Sequence, residues 1–460
     1  MMELKGKKVL VVGLGKSGLA AALFLRHRGA QVTVSDARSA EALAKDIPAL
    51  LDEGIMVETG GHGLLTFRRQ DLIVVSPGVP LNTPELAQVK SFGLPVIGEL
   101  ELAARFLKGR TLAITGSNGK TTTTALVGEI LQKSGVPTLV GGNIGVPVVE
   151  LIDQSTDETW SVLEVSSFQL ESTERFHPRI AVILNITPDH LDRHGNFENY
   201  AQAKERIFAA QDESDVVVLN ADNARAAQVA VRSVGKVYFF SVEHSVMQGA
   251  WVEDGLLLYR AGKDEPLEKI MPLSGVPLKG AHNVENVLAA VCASRLAGVS
   301  AEQIRSGVEA FKAVEHRLEF VAKVNGVDFY NDSKATNVDA TAKAVASFST
   351  GVHLILGGKD KDSDYTQLAE LLRTRVRAIY TIGSAAAKIE NQLRGVVSIL
   401  SCQTLEKAVS AAASAARPGE VVLLAPACSS FDQFENYEQR GRVFKELVNE
   451  RRGGKAWQHA

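Results

Sequence analysis

Short uninterrupted runs of Val, Ile and Leu recur along the chain, at residues 9–12, 32–35, 72–76, 112–115, 162–165, 181–185, 216–220, 354–357, 378–382 and 421–425. Continuous rather than alternating apolar runs suit strands that are buried on both faces. Ala-rich stretches with helical spacing lie between many of them, as at 17–27, 121–133 and 405–416. That order predicts parallel sheets covered by helices, with binding groups just past the carboxyl ends of the strands. Residues 238–277 break the rhythm. Their apolar positions alternate, which predicts antiparallel strands.

The pattern starts afresh near Lys8, Arg110 and Glu315, following helix-like stretches at 99–107, 286–296 and 301–311. These restarts predict three domains, 1–108, 109–313 and 314–460, in line with the prior of roughly 150 residues per domain. Composition narrows the function. Lys+Arg total 50 and Asp+Glu 53, a net charge of -3, so no overall basic excess exists to neutralise a nucleic-acid backbone. The three cysteines, Cys292, Cys402 and Cys428, have no metal-like spacing, which argues against a disulfide framework and against zinc. No apolar run approaches the ~20 residues of a membrane span. The expectation is a cytoplasmic protein without membrane insertion.

Three places carry candidate chemistry. Gly116-Ser117-Asn118-Gly119-Lys120-Thr121-Thr122 follows a predicted strand and opens a predicted helix. Glycines let backbone N–H groups converge on phosphate oxygens, the helix adds its positive end, Lys120 adds a charge, and a Thr hydroxyl can bind Mg²⁺. The loop is two residues shorter between its glycines than the usual phosphate-loop pattern. Gly13-Leu14-Gly15-Lys16-Ser17-Gly18 also joins a strand to a helix, with Asp36 ending the next strand and Ser76-Pro77-Gly78 forming a similar turn. By itself this leaves a dinucleotide site, a site for another nucleotide diphosphate, and a simple tight turn all open. Glu164 ends a strand in the same domain as the phosphate loop and suits a Mg²⁺ ligand. His190 and His194 are spaced i, i+4, but no Cys or H-E-x-x-H pattern supports zinc, so a lone functional His190 with a structural His194 is the better expectation. Lys204 reads as a surface lysine.

Taken in order, Gly116–Thr122, Glu164–Leu170, Asn185–His190, His282–Asn286 and Glu315–Glu319 resemble the Mur ligase family across nearly the whole chain. The stretches Asn331–Asn337 and Ala425–Phe434 are similar to the branch that adds D-glutamate, and the D-N-P-R run of the diaminopimelate- or lysine-adding branch is absent. The resemblance implies an α/β fold of three domains. These are a Rossmann-like N-terminal domain, a central phosphate-loop domain with a mostly parallel sheet, and a Rossmann-like C-terminal domain. It implies an ATP-dependent acid–amino-acid ligase acting on UDP-N-acetylmuramoyl-L-alanine and D-glutamate through an acyl phosphate, in peptidoglycan precursor synthesis. It assigns the glycine-rich amino-terminal loop to UDP.

Residue by residue, the match places Lys16, Ser17, Asp36, Arg38, Ser76, Gly78, Asn143 and Gln169 at the UDP-linked substrate. Gly116, Ser117, Asn118, Gly119, Lys120, Thr121, Thr122, Asn283, Asn286, Arg317, Asp332 and Lys334 go to ATP. Thr336, Lys361, Ser430, Phe431 and Tyr437 go to D-glutamate, with Lys359 as rival to Lys361. Thr121, Glu164, His190 and Lys204 would hold two Mg²⁺ ions, Lys204 as a carbamate formed with CO₂. Lys120, Glu164, His190 and Lys204 are the expected catalytic set. The chain is expected to work as a monomer, with a hinge at residues 311–315 that closes on ligand binding. Competing readings are another amino-acid adder of the family, a folylpolyglutamate-synthase-like ligase, an NAD(P)-dependent oxidoreductase built on Gly13–Gly18, and a non-catalytic nucleotide-dependent scaffold. The oxidoreductase leaves Lys120 and Arg317 unexplained.

Overall fold

The computed structural model describes residues 2–278, 280–312 and 315–452, and contains three sheets. The first comprises β1 (Lys8–Val12), β2 (Gln31–Asp36), β3 (Met56–Thr59), β4 (Leu72–Val75) and β5 (Val96–Gly98). All pairs are parallel, in the order β3-β2-β1-β4-β5. The order reverses between β1 and β4. The loop after β1 and the turn after β4 therefore meet at the switch point, where such sheets bind ligands.

The second sheet comprises β6 (Arg110–Thr115), β7 (Thr138–Gly142), β8 (Trp160–Glu164), β9 (Ile180–Ile183), β10 (Val216–Asn220), β11 (Lys236–Ser241), β12 (Gly249–Glu253), β13 (Leu256–Arg260) and β14 (Glu268–Pro272). Its order is β14-β13-β12-β11-β10-β9-β6-β8-β7. The antiparallel expectation for 238–277 needs correction. β11 pairs parallel with both β10 and β12, and only β12-β13-β14 run antiparallel. Gly249 enters β12 so close to β11 that an added Cβ would lie 1.8 Å from the Phe239 carbonyl oxygen. Asp254 and Gly255 both have positive φ (48° and 71°) and turn β12 into β13 as a tight hairpin.

The third sheet comprises β15 (Glu319–Val324), β16 (Val327–Asn331), β17 (Val352–Gly357), β18 (Val376–Ile382), β19 (Ser398–Gln403) and β20 (Val421–Leu424), ordered β15-β16-β20-β17-β18-β19. It is parallel except for the β15-β16 hairpin, which turns at Asn325-Gly326. Buried apolar clusters cover both of its faces.

The chain forms two compact units. One holds the first two sheets (residues up to Ile186, Glu198–Leu273 and Asn286–Val308). The other holds the third sheet with Thr187–Phe197 and Ser274–Glu285. The expected boundary at 313/314 and much of the expected hinge fall on Ala313 and Val314, which lie outside the described residues.

Candidate active site

The phosphate loop runs from β6 into the helix Lys120–Lys133. Gly119 has φ 87° and caps that helix, and a Cβ there would lie 2.1 Å from Asn286 Oδ1. The left-handed conformation favours glycine, and any side chain there would have to displace Asn286. Lys120 Nζ donates to the carbonyls of Gly116 (2.8 Å) and Ser117 (3.0 Å). Lys204, only 1% exposed, brings a second ammonium to the Gly116 carbonyl at 2.8 Å, with its Nζ 4.7 Å from the centre of the Tyr200 ring. It is not a surface lysine. The loop is braced from outside by groups the sequence reading had not assigned. Asn185 accepts from the Asn118 N–H (2.8 Å) and donates to its carbonyl (3.1 Å), and Tyr200 donates to Ser117 Oγ (3.0 Å). Tyr200 could have been found, since it precedes Lys204 by one helical turn in the helix Phe197–Glu205.

Glu164 ends β8 and is 1% exposed. Its Oε1 accepts from Asn143 Nδ2 at 2.9 Å, while its buried Oε2 has no hydrogen-bond partner. A buried carboxylate oxygen left unmatched beside a phosphate loop suits a hard cation. Thr121 is buried one residue into the loop's helix. His190 belongs to the second unit. It takes a left-handed conformation (φ 53°) as it caps the helix Leu191–His194, and its side chain is partly exposed, whereas His194 is buried.

A cavity of about 700 Å³ opens at the switch point of the first sheet. Lys16, Ser17, Asp36, Arg38, Ser76, Gly78, Asn143 and Gln169 all line it. Gly13 and Gly18 make the approach possible, since a Cβ on Gly18 would lie 1.9 Å from the Gly13 carbonyl oxygen. Ser76 Oγ donates to that same carbonyl at 2.6 Å. Asp36 is already engaged. It accepts from the Leu14 N–H (2.6 Å) and from the Arg38 N–H (2.8 Å) and guanidinium. Burial pushes its carboxyl up, but the Arg38 and Leu14 hydrogen bonds outweigh this and hold it at about 2. Asp36 thus shapes the loop and positions Arg38 in the cavity wall. His62, bonded to Ser35 Oγ at 2.8 Å, is a wall residue that no motif had announced.

In the second unit, burial pushes the Asp332 carboxyl up to about 7, only partly offset by the Arg317 charge. His282 lies near Arg317 and Lys343, and burial with those charges lowers it to about 4. Lys334 Nζ stands 3.8 Å above the Tyr437 ring. Lys361 is largely buried and pairs with Asp189 at 3.3 Å, and Asn337 Nδ2 donates to the other Asp189 oxygen at 2.9 Å. Lys359, its rival, is exposed. Ser430 is buried and Thr336 half-buried, but the Phe431 ring is 68% exposed and does not pack into a pocket. Asn283 and Asn286 are both buried in the helix Ala281–Leu296.

Comparison with known proteins gives this geometry its family. The Mur ligase MurD-like N-terminal domain matches residues 7–98, the Mur ligase middle domain matches 114–294, and the glutamate ligase domain of Mur ligases matches 316–428. The chain belongs to the Mur ligase family. A UDP-N-acetylmuramoylalanine--D-glutamate ligase of Acidobacterium capsulatum is 70% identical over 100% of both chains, and one of Koribacter versatilis is 61% identical over 97% of this chain and 98% of the relative. Among solved structures, a pseudomurein peptide ligase type C from Methanothermus fervidus superposes with a TM-score of 0.60 at 21% identity, covering 97% of this chain and all of that one. The Mur ligase from Thermotoga maritima described as UDP-N-acetylmuramate-alanine ligase does so with a TM-score of 0.60 at 20% identity, covering 98% of this chain and 100% of its own. These last two establish the three-domain α/β fold. Among the described residues, no helix is long and apolar enough to cross a membrane.

Proposed function

We propose that this Mur ligase is the ATP-dependent enzyme that joins the L-alanyl carboxyl of UDP-N-acetylmuramoyl-L-alanine to the amine of D-glutamate. The observation that carries the reading is the clustering around one short loop. Two lysines meet the Gly116 carbonyl, and a buried Glu164 oxygen stands unmatched in the same domain. A carboxylate is a poor electrophile, and both it and ATP are negative. Phosphoryl transfer therefore needs fixed positive charge where charge builds up. Lys120 supplies it from the loop, and Lys334 adds a charge from the C-terminal domain. Transfer of the γ-phosphoryl group gives an acyl phosphate. The D-glutamate amine attacks its carbonyl, and phosphate leaves.

Mg²⁺, when bound, neutralises phosphate oxygens and orients them. Thr121, Glu164, His190 and a carbamylated Lys204 are the residues we assign to two such ions. The orphaned Glu164 oxygen supports the first assignment. The burial of Lys204 supports the carbamate, because an ammonium repels Mg²⁺ while a carbamate offers two oxygens. The large cavity takes the UDP-muramoyl part. Gly116–Thr122, Asn283, Asn286, Arg317 and Asp332 take ATP. Lys361, Thr336, Ser430 and Tyr437 take D-glutamate, with Phe431 at the rim. The pairing of Lys361 with Asp189 and the exposure of Lys359 favour Lys361. The working domains are 1–108, 109–313 and 314–460, and the ATP-consuming step belongs in the cytoplasm. Phosphate release with ATP, UDP-N-acetylmuramoyl-L-alanine and each candidate amino acid in turn tests the reading. Release with D-glutamate alone among them is expected, and release with L-alanine or diaminopimelate instead overturns it.

A further inference from the structure

The loop that carries Lys361 is held from behind by a buried hydroxyl. Tyr365 is fully buried in the core of the C-terminal domain, and its backbone N–H donates to Gln392 Oε1 at 2.8 Å. Its Oη lies 2.7 Å from Asp360 Oδ1 and 2.9 Å from Cys428 Sγ. The proton directions follow from chemistry. Burial raises the Asp360 carboxyl, but the hydrogen bonds from Lys388 and Tyr365 outweigh it and keep the group below the usual carboxylate range. Asp360 is therefore an acceptor only, and the single Tyr365 proton goes to it. The Cys428 thiol, pushed up to about 12 by burial, keeps its proton and donates to Tyr365 Oη. A directed chain thus runs from Cys428 through Tyr365 to Asp360.

The ends of this chain are on two different loops. Asp360 adjoins Lys361, and Cys428 stands two residues before Ser430. Lys388 grips Asp360 (2.7 Å) and Asp362 (3.4 Å) together. Lys361, between them in sequence, pairs instead with Asp189. The backbones of the two loops also pair directly, at Gly357 and Pro426 (2.8 Å) and at Lys359 and Ser429 (2.9 and 3.1 Å), and the Tyr365 hydroxyl adds a side-chain link at Asp360, next to Lys361.

We propose that Tyr365 is a positioning residue for the amino-acid substrate, its hydroxyl fixing the distance between Lys361 on one loop and Ser430 on the other. The proposal rests on the assignment of those two residues to D-glutamate. The ring alone would serve packing equally well as Phe, so the hydroxyl is what must be tested. In the full-length enzyme, phosphate release by Tyr365→Phe is measured while each of the three substrates is varied, alongside the melting temperature. The KM for D-glutamate is expected to rise about tenfold, the scale of one buried hydrogen bond. The kcat and the KM for ATP should stay near wild type. Asp360→Ala, which removes the acceptor of the Tyr365 hydroxyl, should raise the same KM, and the double variant should be little worse than either single one, since both cut one chain. If Tyr365→Phe does not fold, Asp360→Ala decides alone. An unchanged D-glutamate KM, or an equal rise in all three KM values, overturns the role of Tyr365. A wild-type enzyme inactive with D-glutamate instead removes the functional reading on which the role rests.

Discussion

Lys204 shows how a residue's chemistry can depend on its surroundings. Its ammonium is buried against a Tyr ring and a loop carbonyl, close to where phosphate charge is expected. As an ammonium it serves only as a donor. In the proposed carbamate, formed when CO₂ adds to the neutral amine and a proton leaves, the same side chain would carry two oxygens and a negative charge and could ligate a cation. Lys204→Ala is therefore expected to abolish most turnover, with short carboxylates such as formate or acetate restoring part of it. Failure of every carboxylate to restore activity, with the variant folded, would leave the carbamate without support. Lys120 and Glu164 make a simpler case. In the proposed roles, Lys120 meets the negative charge that builds during phosphoryl transfer and Glu164 holds the cation that does the same, so water would replace neither. Lys120→Ala and Glu164→Ala should each lower kcat by about 10²-fold or more, the usual effect of removing one transition-state charge partner. Near-normal kcat in either would remove the mechanism.

The helix Glu99–Ala104 carries two buried acids that behave differently. Glu101 Oε2 accepts three consecutive N–H groups, from Glu174, Arg175 and Phe176 (2.8, 2.9 and 3.0 Å), and its other oxygen pairs with Arg105 (2.9 Å). Glu99 accepts from the Val149 N–H (2.8 Å), but its Oε2 is buried without a partner, and burial pushes its carboxyl up to about 7. The folded state therefore holds a proton that the unfolded state gives up near 4.5. Stability is lost as pH rises from that value through 7, by up to about 3 kcal/mol. Glu99→Gln removes this ionisation. Its melting temperature relative to wild type should climb between pH 5 and pH 8, and a pH-independent difference would contradict the account. Elements like this helix were legible where burial is two-sided. β4 and β20 are apolar throughout, as is β1 after Lys8, and they stood out in the sequence. β3 did not, because its residues face outward and Met56 is 67% exposed. Nor did the β15-β16 hairpin, although Asn325-Gly326 is a strong turn signal that apolar runs alone pass over. The phosphate loop was legible because its groups are contiguous. Lys204, which reaches the loop across 88 residues, and Asp189, which meets Lys361 across 172, could be joined only by the fold.

At the scale of the molecule, four of the proposed acid-activating groups, Lys120, Thr121, Glu164 and Lys204, stand in the unit built on the first two sheets, while His190 and Lys334 stand with the proposed amino-acid groups in the unit built on the third. Activation of the acid and choice of the amine are nonetheless separable by experiment. Lys361 is paired with Asp189 inside its own unit. An incoming side-chain carboxylate can compete with Asp189 for the ammonium, whereas a carboxamide of the same shape brings no charge and leaves the pair in place. D-glutamine should therefore be used with a kcat/KM lower than that of D-glutamate by on the order of 10⁴-fold, the discrimination that a buried polar site gives against a substrate lacking its partner group. Formation of the acyl phosphate should not share this penalty. Hydroxylamine, added with ATP and UDP-N-acetylmuramoyl-L-alanine in the absence of any amino acid, should trap it as a hydroxamate. Comparable use of D-glutamine and D-glutamate would show that Lys361 does not read the second carboxylate, and Lys361→Ala would then leave the D-glutamate KM unmoved.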